Sequence, residues 1–148
     1  MKEYKYLLYI DILGFADLVK NNIKKIKKLF KTIDSLNVHQ HGAFKTIVFS
    51  DTILIFNKDN PTSDHDHEYF VMYACEFIKD LMLRTIDDDI QFRAILMYDE
   101  FYYHNHKNIE AYYGMALVKS YYKEKEINAV GLFIDKQINH FNKIFPTS

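Results

Sequence analysis

Tryptophan is absent from this chain, cysteine occurs once, and only two prolines and four glycines punctuate its 148 residues. A single cysteine, Cys75, cannot close an internal disulfide, so a disulfide scaffold is excluded and a reducing cytoplasm is the expected compartment. Its neighbours Tyr69, Phe70, Met72, Tyr73 and Phe77 recur at helical spacing, which places the thiol in a core rather than in a nucleophilic site. The scarcity of proline and glycine, with no repeat or low-complexity tract, leaves no linker, and residues 1–148 are expected to form one domain. No apolar run approaches the ~20 residues a bilayer span needs, and the first residues enter a strand pattern at once, without a signal-peptide layout. Excess charge is lacking too: 19 Lys and Arg against 20 Asp and Glu give a net charge of -1. Nothing global therefore favours nucleic acid or a membrane as partner. Hydrolase elbows, Walker loops and paired-cysteine motifs are missing, which excludes those chemistries.

What the chain has instead is apolar mass. Hydrophobic residues make up 49%, with 12 Tyr and 12 Phe among them, enough to bury a core. Residues 4–10 read as a buried strand, and Phe15 to Ile33 as one amphipathic helix whose polar face carries Lys20, Lys24, Lys25, Lys27, Lys28 and Lys31. That lysine face is expected to be solvated. Residues 44–49 and 52–56 form two strand-like runs separated only by Ser50 and Asp51, the spacing of a tight hairpin. A polar loop is expected over 58–67, a helix over 68–86 and a solvated turn at Asp87 to Asp89. Strands follow at 90–98 and 101–103, a helix at 112–125, a strand at 130–134 and a closing helix at 136–145. This order predicts an α+β fold with a ferredoxin-like β-α-β-β-α-β core, extended by a further helix and strand, with its helices on one face of a mainly antiparallel sheet.

In that topology the first strand lies beside the hairpin, so Asp11 and Asp51 meet at one edge of the sheet. Either alone has an ordinary role, Asp11 as a helix cap and Asp51 as a turn residue. Together they repel unless a cation lies between them. Mg²⁺ or Mn²⁺ suits such a pair, because these ions take one or two carboxylates and fill the remaining positions with water and phosphate oxygens. Gly14 allows a sharp turn into the helix. The amides of Leu13, Gly14, Phe15 and Ala16 would then face outward, where a triphosphate can bind.

Four segments together carry a resemblance. Tyr9-Ile-Asp-Ile-Leu-Gly-Phe15 and Phe49-Ser-Asp-Thr-Ile53 resemble the metal-binding segments of class III nucleotide cyclases. Arg93-Ala-Ile-Leu-Met-Tyr-Asp-Glu-Phe-Tyr-Tyr-His104 and Gly114-Met-Ala-Leu-Val-Lys-Ser-Tyr-Tyr-Lys-Glu124 look closest to the bacterial branch that includes the pyrimidine cyclases of Pycsar antiviral defence. The resemblance covers roughly residues 5 to 135. It implies a homodimer with active sites at the protomer interface. Asp11 and Asp51, assisted by the Ile12 carbonyl, would hold two metal ions while a nucleoside triphosphate cyclises to a 3′,5′-cyclic nucleotide and pyrophosphate.

Departures from the family pattern point to an alternative, a cyclase-fold module that binds nucleotide or dimerises without turnover. Where the family carries Asn and Arg after the glycine of its last helix motif, this chain has Val118 and Tyr122. The candidate replacement cations are Arg93, or Lys119 or Lys123 from a partner protomer. Asp99 stands where the family pattern has glycine, and Ile47 where purine cyclases carry a base-reading lysine, with Lys45 two residues further back on the same strand face. Three His-x-His pairs (39/41, 65/67 and 104/106) are read as lying in polar loops, with at most adventitious metal capture. Tyr102, Tyr103, Tyr112 and Tyr113 suit either a base-stacking wall or a dimer interface.

Overall fold

The computed structural model describes residues 1–36 and 42–138. The first strand, β1 (Tyr4–Ile12), is the spine. Two short helices follow, α1 (Phe15–Asn21) and α2 (Ile23–Asp34), then the hairpin strands β2 (Phe44–Phe49) and β3 (Thr52–Asn57). Helix α3 (Asp64–Thr85) leads through a short 3₁₀ turn into β4 (Phe92–Glu100). A small hairpin, β5 (Tyr102–Asn105) and β6 (Glu110–Tyr113), precedes α4 (Met115–Glu126) and β7 (Gly131–Ile134).

The main sheet runs β2-β3-β1-β4-β7. β1 is antiparallel to both β3 and β4, and β7 joins β4 in parallel. The expected α+β architecture with a ferredoxin-like core and an added helix and strand is therefore present. Because successive side chains of a strand alternate faces, β1 divides its apolar residues between two cores. Tyr6, Leu8, Ile10 and Ile12 pack with Leu29 and Ile33 of α2 and with Phe70, Phe77 and Leu81 of α3. Leu7 faces the other way and packs with Phe56, Phe101 and Ala116. Burial on both faces explains why β1 reads as a continuous apolar run.

Several expectations need correction. The helices do not share one face: α2 and α3 cover one side, while α4 brings Ala116 and Leu117 against the other. The single helix expected over 15–33 is two, broken at Asn22, whose backbone leaves helical geometry (φ -152, ψ 65) and whose side chain accepts from the Lys25 amide at 3.3 Å. Asparagine competes in this way for the backbone of a following turn. Helix α3 begins earlier than expected because Ser63 caps it, accepting from the Asp66 amide at 3.2 Å, with Asp64 and Asp66 in the positive first turn. His65 and His67 therefore sit on a helix, where residues two apart do not share a face. His67 instead packs against Tyr6, 2.7 Å from its hydroxyl to the ring Nδ1. The stretch before α4 is a strand, β6, and the helix starts only after Gly114. There φ is 142 and an added Cβ would meet the Glu100 carbonyl oxygen and Phe101 Cα. Residues 136–138 are not helical, and the rest of the expected closing helix, like His39 and His41, lies outside the described residues.

Candidate active site at the end of β1

At its last turn of pleat, β1 places Asp11 opposite Thr52 of β3 on one side and opposite Arg93 of β4 on the other. The β2–β3 hairpin closes over two residues, with Ser50 at φ 55, so Asp51 directly precedes the strand that pairs with β1. The Ile12 amide donates to the Asp51 carbonyl at 2.8 Å, which ties the two carboxylate-bearing segments together through the backbone. The Asp51 side chain is exposed and accepts from the Thr52 hydroxyl at 3.2 Å.

Asp11 points to the α4 face of the sheet, and there it meets a residue that sequence reasoning passed over. Glu124 brings a second carboxylate close enough to act on the Asp11 carboxyl. Burial, the neighbouring Glu124 carboxylate and the negative charge of Asp51 raise Asp11 from its ordinary 3.8 to about 7, with Arg93 opposing. The signal for Glu124 was available: Ala116 and Ser120 are the buried residues of α4, and 124 continues their four-residue spacing along the sheet-facing stripe.

The cations are largely committed. Arg93 donates to Glu124 Oε1 at 2.6 Å and to the Ala129 carbonyl at 3.0 Å. Lys119 reaches Asp99 at 2.5 Å, so the acidic residue at the glycine position is neutralised by the chain itself. Lys123 forms no ion pair among the described residues; it lines a separate cleft with Ile95, Met97 and Ile127. Lys45 is not beside Asp11. It pairs with Phe56 at the far end of the hairpin and donates to the Tyr103 hydroxyl at 2.8 Å, with its ammonium 4.1 Å from that ring's centre.

Gly14 does make the sharp turn, at φ 69 and ψ 20, and Phe15 opens α1. The Leu13 amide, expected to face a phosphate, instead donates to the Gln91 carbonyl at 2.9 Å, because β1 continues its ladder one residue further. Beside the carboxylates, an apolar hollow of about 610 Å³ opens between the sheet and α4. Tyr9, Ile47 and Leu54 form its floor, Val118 and Tyr122 its wall, and Phe49 its lip.

Among the described residues no group of three or more His, Cys, Asp or Glu is placed to hold a metal ion. The donor set is therefore two hard carboxylates with a backbone carbonyl nearby. It suits an ion that takes most of its ligands from water and phosphate, and poorly suits zinc. Crowded anionic charge at Asp11 is what such an ion would relieve.

No family model matches the chain, and no curated protein matches it in sequence. Solved structures do match in fold. The dimeric guanylyl cyclase domain of the RhoGC fusion protein from Blastocladiella emersonii aligns at a TM-score of 0.72 and 16% identity, over 97% of this chain and 84% of that one. The adenylyl cyclase CyaB from P. aeruginosa aligns at 0.69 and 11% identity, over 98% and 83%. The guanylate cyclase domain of RhGC from Catenaria anguillulae, solved with GTP, aligns at 0.65 and 15%, over 96% and 83%. The chain has the fold of class III nucleotide cyclase catalytic domains. No helix among the described residues is long and apolar enough to cross a membrane.

The raised Asp11 carboxyl gives the metal-free protein a pH signature. Between its ordinary 3.8 and about 7, the folded chain holds a proton that the unfolded chain has released. Its contribution to stability is thus full at the acid end and is lost as pH rises through about 7. Denaturant unfolding in EDTA should show stability falling from pH 5 to pH 8 by more in wild type than in Asp11→Asn. Equal slopes in the two proteins would contradict the assignment.

Proposed function

We propose that this chain is a divalent-metal-dependent nucleotide cyclase, converting a nucleoside triphosphate to a 3′,5′-cyclic nucleotide and pyrophosphate. One observation carries the reading. On a class III cyclase fold, Asp11 and Asp51 lie at the end of the central strand, and Asp11 sits in anionic surroundings that hold its carboxyl near neutrality.

Asp11 and Asp51, with the Ile12 carbonyl, would hold Mg²⁺ or Mn²⁺. When bound, such ions lower the pKa of the ribose 3′-hydroxyl and neutralise the departing pyrophosphate. The chain's own part is positioning. The Ile12–Asp51 backbone bond ties together the two segments that carry the carboxylates, and the Arg93–Glu124 pair sets the charge around Asp11 from the α4 side. The helix start at Phe15 and Ala16 leaves amides for phosphate oxygens. The apolar hollow beside the carboxylates offers aromatic faces for a base and no charged side chain to read one. This fits a substrate chosen by shape and stacking, pyrimidine nucleotides among the candidates.

Phe49, Val118, Tyr121 and Tyr122 leave a contiguous apolar lip exposed, Phe49 at 78%. An exposed apolar lip of this kind marks an association surface. We read it as the face of a homodimer that closes the hollow and completes the site. The second reading, a nucleotide-binding or dimerising module without turnover, is favoured by one fact: Arg93 and Lys119 are already spent on Glu124 and Asp99.

Purified protein incubated with ATP, GTP, CTP and UTP in Mn²⁺ should yield one cyclic nucleotide by mass spectrometry, with Asp51→Ala lower by about a hundredfold or more. Nucleotide binding without product would leave the module reading. In sedimentation velocity the wild type should run as a dimer and Phe49→Asp as a monomer without activity. A monomeric wild type that cyclises nucleotide would refute the interface site.

A further inference from the structure

On the same face of the sheet, but at the opposite end of β1, lies a cleft of about 520 Å³ that the cyclase reading leaves unused. Glu3, Lys5, Lys45, Lys58, Asp59 and Tyr103 line it. Six residues of extended strand separate Lys5 from Asp11, about 20 Å. A triphosphate held at the Asp11 edge does not fill it.

Lys5 is the unusual member. Its side chain is 7% exposed, yet no carboxylate lies within ion-pair distance among the described residues. Its ammonium donates to two backbone carbonyls, Asn57 at 3.2 Å and Lys58 at 2.8 Å. An ammonium has three donors, and only two of those of Lys5, which lines the cleft, have acceptors among the described residues. A buried charge whose only hydrogen-bond partners are carbonyl oxygens is costly. Burial lowers its pKa despite the opposing fields of Glu3 and Asp59, a sign that those two carboxylates under-compensate it. Lys58 adds an exposed ammonium with no ion pair among the described residues, and Lys45 adds one held against Tyr103 with only a 3.9 Å approach to Glu110. Three lysines thus line the cleft beside Glu3 and Asp59, and only Lys45 of the three has an ion pair among the described residues, the long one to Glu110.

We propose that this cleft is a second ligand site, an anion subsite in which Lys5 and Lys58 seat a phosphoryl group. The fork of Asn57 and Lys58 carbonyls holds the Lys5 ammonium in place before the ligand arrives, so little side-chain entropy is lost on binding. Lysines act there as point charges, which suits a phosphate dianion. The cleft exceeds the size of a phosphate ion, and its ligand is either free phosphate or the phosphate of a nucleotide. The site is independent of the cyclase reading, since it needs neither Asp11 nor a metal.

The test is a titration of ¹⁵N-labelled protein with inorganic phosphate and, separately, with UMP, in EDTA and at fixed ionic strength. Saturable shifts should appear at the amides of residues 58–60 and at Tyr103, and the tighter of the two probes names the source. Lys58→Ala should weaken binding about tenfold, and Lys5→Met, which keeps the stem, should abolish it. If Lys5→Met does not fold, Lys58→Ala alone decides. Absence of saturable shifts, shifts confined to residues 11–15, or unchanged affinity in Lys58→Ala would overturn the proposal.

Discussion

Two carboxylates at the end of a strand buried on both faces are a constraint around which the rest of this molecule is organised. Asp11 cannot leave the edge of the sheet, because Ile10 and Ile12 on either side of it are anchored in the core beneath α2 and α3. Asp51 cannot leave either, because the Ile12 amide holds its carbonyl. Negative charge crowded around the half-buried Asp11 must be answered by a proton, a cation or both. Here the proton is favoured at Asp11 up to about pH 7, and Arg93 supplies a cation from the neighbouring strand. Glu124, held by Arg93 at 2.6 Å, extends that balance to α4. The carboxylate edge and the helix that walls the hollow are therefore one electrostatic unit.

Much of this was legible in the sequence. The alternation of strands and helices, the two-residue hairpin at Ser50 and Asp51, and the turn at Gly14 are local features, set by apolar periodicity and by residue types with particular backbone preferences. They were enough to place Asp11 and Asp51 at one edge, because the topology follows from their order. The lone Cys75 lies partly buried against the α2–α3 core, as its apolar neighbours implied.

What the sequence hid depends on contacts between distant elements. Nothing local tells that α4 crosses to the opposite face. That placement requires Leu7, Phe101 and Ala116 to meet, and they come from three separate segments. Arg93 looked like a free cation until Glu124, on that same helix, closed on it. Asp99 looked like an obstacle until Lys119, five residues before Glu124, paired with it. Polarity misled at Lys58 to His67, where a serine cap and two first-turn aspartates start a helix inside a stretch that composition alone reads as loop. The helix reading failed at Tyr112 and Tyr113, where cross-strand stacking of Tyr103 on Tyr112, 4.9 Å between centres, stabilises a small hairpin instead.

Under the proposed function, Asp11 exchanges a proton for a divalent cation. Calorimetric titration of Mn²⁺ into the protein at pH 7, repeated in two buffers of different ionisation enthalpy, measures that exchange directly. The account predicts saturable binding with release of about half a proton per chain, as expected of a ligand that titrates near the working pH, and loss of that release in Asp11→Asn. Buffer-independent heats, or Mn²⁺ binding that Asp11→Asn leaves unchanged, would contradict it.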